Sequence, residues 1–285
     1  MTITKPGLVF DMSDEDYHGD PVEGGSLSSS LARQLTRHVP AKAIALHRNR
    51  KPTSSMNLGK AAHLLALGAG PELVVWEFDG RTKAGKEERA QHAEAIATES
   101  IVAVTEKERD QVLGMVAALR SSPEVAAMLD SGQPEVSAFW QEGGAWCRAR
   151  YDLLGALPFD YKTTDDASAH GFEQAMASYG YHQQAEFYLR GLKALAHPAA
   201  DQPMRFICQE KEFPYLVQVH TCDELAMEIA ASLNDRAIET FAACTAADEW
   251  PGYPVLEPEP TALPNNYFYR HMAVIPSNLN PFVEA

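Results

Sequence analysis

The chain has 285 residues, 45% of them hydrophobic and 22% charged, which is enough apolar material for a full core and too little charge for a disordered acidic chain. Its 24 basic and 39 acidic residues give a formal charge of −15, which argues against broad, non-specific nucleic-acid binding but leaves room for a local basic groove. Four widely spaced cysteines (Cys147, Cys208, Cys222, Cys244) form no CxxC pair, which argues against a zinc ribbon; reduced thiols in a cytosolic protein are expected, with no signal peptide and no membrane span.

In chain order, residues 1–132 read as mainly helical. Ser28 or Ser29 caps a helix starting near Leu31, and a second helix covers Met56 to Leu67. Glu77 to Glu87, with Gly80, Gly85 and the cations Arg81, Lys83 and Lys86, reads as a polar loop entering the next helix. Thr105 and Glu108 form a capping box for a helix to about Arg120, and Ser122-Pro123 opens a short one. Alternating runs at Glu135–Gln141, Ala145–Leu154 and Pro158–Thr164 predict a three-stranded meander. Helices over Ser168–Ser178 and Tyr181–Ala196, strands over Met204–Glu210 and Tyr215–His220, and a helix from Glu224 to about Cys244 follow; the Pro-rich end from Trp250 reads as irregular. This order predicts an α/β or α+β layered fold.

Strand alternation sorts the chemistry. Trp146, Arg148, Arg150 and Asp152 share one face, opposite the mostly apolar Cys147, Ala149, Tyr151 and Leu153. Asp160 and Lys162 share a face of the next strand, and Glu135 and Ser137 one of the strand before. Neighbouring strands can thus gather Glu135, Asp152, Asp160 and Lys162 on one surface. Clustered carboxylates repel one another, and a divalent cation such as magnesium, which takes oxygen ligands, removes that repulsion. A solvated strand face with surface ion pairs is the competing reading.

Arg150-Tyr151-Asp152, then Asp160-Tyr161-Lys162-Thr163-Thr164, then Tyr181-His182-Gln183-Gln184, resemble the nuclease core of the RecE and RecB type within the PD-(D/E)XK superfamily. Upstream, Gly59-Lys60-Ala61-Ala62-His63 is similar to the family's G-x-A-x-H segment. Tyr17-His18, the serines Ser28–Ser30, Glu135-x-Ser137-x-Phe139-Trp140 and Trp250-Pro251-Gly252-Tyr253 resemble RecE-type phage proteins. Two departures are visible: the Asp152–Asp160 gap is short, requiring a tight hairpin at Gly155 and Pro158, and the cysteines do not match the iron–sulfur spacing of some relatives, so no cluster is expected.

The resemblance implies an α/β restriction-endonuclease-like core, a central mixed sheet flanked by helices, in a single domain over 1–285: a helical part to 132, a catalytic core over 133–245 and an irregular tail from 246. It implies that His63, Asp152, Asp160, the Tyr161 carbonyl and Glu135 bind Mg2+, with Mn2+ able to substitute. Lys162 stabilises charge at the scissile phosphate and orients or deprotonates the water, while Tyr181 and Gln184, three residues apart on one helix face, hold the backbone and position Lys162. Arg81, Lys83, Lys86, Arg148 and Arg150 are the candidate DNA contacts. Because a protonated imidazole cannot bind metal, activity should fall in mild acid. The implied activity is sequence-independent 5′-to-3′ digestion of linear duplex DNA for recombination, by a ring-shaped homo-oligomer in a bacterial host cytoplasm, with a single-strand annealing partner of the RecT type and no membrane. An endonuclease of defence or repair, and a non-enzymatic interaction protein on a decayed nuclease scaffold, are the alternatives.

Overall fold

A computed structural model describes residues 1–49, 54–98 and 100–254, with 258, 260–264 and 270 beyond them. The chain divides into two compact units, Met1–Gly252 and Tyr253–Ala285, and every element named below lies in the first. In chain order these are β1 (Gly7–Val9), α1 (Asp14–His18), β2 (Leu27–Ser28), α2 (Ser29–Arg37), α3 (Pro40–Arg48), α4 (Ser54–Leu67), β3 (Glu72–Val75), α5 (Lys83–Gln91), α6 (Ala93–Ala97) and β4 (Ile101–Val104). Then come α7 (Glu106–Ser121), α8 (Pro123–Leu129), β5 (Gly132–Glu142), β6 (Ala145–Gly155), β7 (Pro158–Thr164), α9 (Ala169–Tyr179), α10 (Tyr181–Ala194), β8 (Arg205–Glu210), β9 (Val217–His220) and α11 (Glu224–Ala247).

The main sheet runs β1-β5-β6-β7-β8-β9, with β2 also on β6. It is mixed: β7 and β8 are parallel and joined through α9 and α10, β2 is parallel to β6, and the other pairs are antiparallel. One face buries Val136, Trp140, Cys147, Ala149 and Tyr151 against α2, α10 and α11. The other buries Phe159, Tyr161 and Ile207 against α4, α7 and α8. Helices on both faces explain why β6 and β7 are buried at most positions rather than strictly alternating. Among the described residues no single helix is long and apolar enough to cross a membrane.

Local chemistry sets the boundaries. Ser28 caps α2 through Leu31 N–H, and Thr105 and Glu108 close the expected capping box on α7. Gly180, at φ 71°, supplies the left-handed residue that ends α9 and starts α10.

The part before residue 132 is mainly helical and also carries four short strands, too short for a period-two signal. Two readings need correction. The Glu77–Glu87 loop ends at Thr82, which caps α5 through Gly85 N–H, so Lys83 and Lys86 are helical. Leu153 does not share the core of Cys147, Ala149 and Tyr151: it packs with Phe159 and Tyr161, and Leu154 takes the other side. The alternation switches at Asp152, where β6 and β7 part. At the tail, α11 runs to Ala247 and Trp250 packs edge-on against Phe241; residues 255–257, 259, 265–269 and 271–285 lie outside the described residues.

Gly191 marks where α10 meets the sheet most closely. A Cβ there would lie 2.8 Å from the ring of Trp140, which is 1% exposed. Gly191→Ala gains about 1 kcal/mol of helix propensity. Forcing a rigid buried ring aside costs about 1–3 kcal/mol. The clash outweighs the gain, so Gly191→Ala should lower unfolding stability in a urea titration, whereas an unchanged or raised midpoint would show that the contact yields.

Candidate metal centre

β5 covers one edge of β6 along its whole length. The other edge is shared: β2 pairs at Cys147 and Arg148, and β7 pairs only at Leu153 and Leu154. Between them the strands fork. The Asp152 carboxylate enters the fork and accepts the Tyr161 N–H at 2.8 Å, a backbone donor that the parted ladder would otherwise leave open. Tyr161 is itself fixed, since its phenol donates to Gln209 at 2.5 Å and Gln209 donates to the Met115 carbonyl.

Helix α4 crosses the same place. Gly59 allows it to approach Thr163, whose Oγ1 would lie 3.2 Å from an added Cβ, and the buried Ala61 and Ala62 keep it close to the sheet. One turn on, the His63 Nδ1 lies 3.3 Å from Asp152, and its ring packs 4.8 Å from that of Tyr161. From β5 comes Glu135, whose φ of 54° is left-handed and costs about 1–3 kcal/mol for a residue with a Cβ. Donor atoms of His63, Glu135 and Asp152 all lie within 4.8 Å of one another. Two carboxylates and an imidazole fit a divalent cation by spacing and by chemistry. They sit in an open cleft of about 670 Å3 also lined by Lys60, Lys162, Thr163, Tyr181 and Tyr188.

Asp160, 1% exposed, adjoins this trio on β7. Its carboxylate pairs with Lys162 and accepts from the Gln184 amide, one turn into α10. The Lys162 ammonium lies 5.2 Å over the Tyr181 ring. Thus Asp152, Asp160, Lys162, His63, Glu135, Tyr161, Tyr181 and Gln184 all meet at one place. Of the cation contacts expected from the sequence, Arg150 alone lines this cleft. Arg148 is 4% exposed, pairs with Asp20 and donates to Ser26; Arg150 is 8% exposed and pairs with Asp14 at 3.0 Å and Glu135 at 2.6 Å. These two arginines hold the N-terminal segment and Glu135. Arg81 and Lys83 pair with Asp79 and Glu87, and neither they nor the exposed Lys86 line the cleft.

Sequence reasoning missed Asp14, Tyr17 and His18 as cleft residues. Ser13 with three acids after it is a helix-start signal that would have found α1, but nothing in one sequence pairs Asp14 with Arg150. Tyr17 packs between both arginines, 5.5 and 5.3 Å from their guanidinium carbons.

Electrostatics here favour a cation. Burial, then Asp152, pushes the Glu135 carboxyl up to about 8, although Arg150 opposes the shift. Burial, then Asp152, raises Asp160 to about 6 against the pull of Lys162. For Lys162, burial alone would lower the pKa, but Asp160 and Asp152 outweigh it and hold the ammonium charged. Carboxyls with folded pKa values above their ordinary 4.5 and 3.8 bind protons more tightly in the fold. Their contribution to stability is therefore fully present in acid and lost as pH rises toward about 8. In EDTA the melting temperature should fall between about pH 5 and pH 8. Mn2+ should restore it most at the alkaline end, and Glu135→Gln should flatten the decline; a melting temperature that rises across this range in EDTA would contradict the assignment.

Residues 28–255 match the family described as a PDDEXK-like domain of unknown function (DUF3799). The crystal structure of a provisionally named exonuclease from Eubacterium rectale superposes with a TM-score of 0.58, covering 85% of this chain and 88% of that one. The two are 11% identical, so the likeness is one of fold. None of the curated proteins matches the sequence. The mixed sheet flanked by helices, the forked pair of strands and the match over most of the chain agree: this protein belongs to the PDDEXK-like domain family DUF3799.

Proposed function

We propose that this protein is a metal-dependent nuclease that hydrolyses linear double-stranded DNA from its ends, with Mg2+ as the working ion and Mn2+ able to replace it. One observation carries the reading: the ligand atoms of His63, Glu135 and Asp152 converge beside the Asp160–Lys162 pair at the base of an open cleft. The exonuclease name of the Eubacterium rectale protein points the same way.

His63, Glu135 and Asp152 would hold the ion, with Asp160 next to them. When bound, a divalent ion supplies Lewis acidity toward a phosphoryl oxygen and acidifies water. The chain's own part is positioning and charge. Lys162, held charged at the cleft floor, stabilises negative charge developing on the scissile phosphate and orients the attacking water. Asp160 pairs with Lys162 and is itself held by the Gln184 amide, and the Tyr181 ring lies beneath the ammonium. Arg150, anchored by Asp14, holds the carboxylate of the left-handed Glu135. The RecE-type resemblance adds 5′-to-3′ polarity, a recombination role in a phage or prophage, a ring-shaped homo-oligomer and an annealing partner of the RecT type, and these belong to the same proposal.

The test is digestion of end-labelled linear and covalently closed duplexes in Mg2+ or EDTA. Linear DNA should disappear only with Mg2+. Lys162→Ala should reduce kcat by about 100-fold or more, and Asp152→Asn should abolish Mn2+ binding measured by calorimetry. Cleavage that survives EDTA or Lys162→Ala would refute the mechanism, and closed circles cut as fast as linear DNA would make the protein an endonuclease.

A further inference from the structure

The cleft continues on both sides of the metal centre, and the two continuations carry opposite charge. One, about 590 Å3, shares Tyr17, Lys162, Tyr181 and Tyr188 with the central cleft and extends past Ser28–Ser30 at the start of α2 to the end of α3. Its described lining holds Arg33, Arg48, Arg148 and Lys162 and no carboxylate. Asp20 and Asp160 already offset Arg148 and Lys162. Arg33 donates to the Tyr179 carbonyl, and the exposed Arg48 adds positive charge to this arm. The other arm, about 390 Å3, shares Asp14, Gly70, Pro71, Glu135 and Arg150 with the central cleft. Its described lining holds the exposed Asp11, Glu15 and Glu72, besides Asp14 and Glu135, which pair with Arg150. No lining residue is common to the two arms, so they leave the metal centre by different walls.

Resting on the nuclease reading above, we infer that DNA occupies one arm only. Backbone phosphates lie along the Ser28–Arg48 arm, where guanidinium groups and serine hydroxyls can meet them, and the Asp11–Glu72 arm repels any strand that would pass through. A continuous strand has to run out of the cleft on both sides of the bond being cut. A strand that stops at the metal centre does not. The acidic arm is therefore the source of end selectivity, and it favours departure of the short anionic product, because a phosphate meeting carboxylates in a partly enclosed groove is pushed toward solvent. Both arms lie in the single chain, so this selectivity needs no second copy.

Combining Asp11→Asn, Glu15→Gln and Glu72→Gln tests the acidic arm, since all three are exposed. Initial rates would be measured on a linear duplex and on the same sequence as a covalently closed duplex circle, in Mg2+. The wild type should strongly prefer the linear duplex. The triple variant should narrow that preference by about tenfold through faster cutting of the circle. Arg48→Ala should raise KM for the linear duplex several-fold and flatten its dependence on salt. An unchanged linear-to-circular ratio in the triple variant, or an unchanged KM in Arg48→Ala, would overturn the inference while wild-type cleavage still stands. Loss of the nuclease reading itself would look different, with no Mg2+-dependent cutting of either substrate by the wild type.

Discussion

Everything at the site follows from the parting of β6 and β7. They pair at Leu153 and Leu154 and then diverge, and the Asp152 carboxylate closes the gap by accepting the Tyr161 N–H. That one bond has two effects. It satisfies a backbone donor where the ladder fails, and it pins a carboxylate at the apex of the fork, pointing at the helix that crosses there. A carboxylate accepting a backbone N–H is a strong bond with narrow geometry, so Asp152 is set before any ligand arrives. The switch of side-chain faces that puts Leu153 and Leu154 into different cores comes from the same divergence.

Around that apex the fold assembles partners from distant parts of the sequence. Small residues on α4 bring His63 down, a left-handed Glu135 comes across from β5, and Gly180 turns α10 so that Gln184 reaches Asp160. The N-terminal segment completes the wall. Its Asp14 and Asp20 meet Arg150 and Arg148, which strand alternation places on the face of β6 away from the main core. Truncating one partner of such a buried pair leaves an uncompensated charge, which costs about 3–5 kcal/mol. The segment is thus locked to the sheet by charge as well as by Tyr17 packing.

The sequence displayed the frame better than the wiring. Capping residues, turn glycines and period-two runs marked α2, α7, β5, β6, β7 and α11 closely, because those signals are local. Short strands such as β2 escaped, since two residues carry no period and pair only because Cys147 lies alongside. At the site, motif spacing pointed to the residues that meet. It could not show that Asp160 binds Lys162 and Gln184 while His63, Glu135 and Asp152 form the trio. Arg148 and Arg150 read as DNA contacts, because Asp20 and Asp14, which pair with them, lie far upstream in a segment that alternation cannot place.

Net charge was the observation most at odds with a nucleic-acid reading, and the structure shows why it has little weight. A total of −15 is a sum over a whole surface, whereas a phosphate approaching a groove responds to charges within about a Debye length, roughly 8 Å at physiological salt. Inside the cleft those charges are segregated: Lys162 is held charged at the floor, arginines line one continuation and carboxylates the other. Low-dielectric walls strengthen such local fields relative to the solvent-screened exterior. An acidic total and a local cluster of cations in one groove can therefore coexist in one chain.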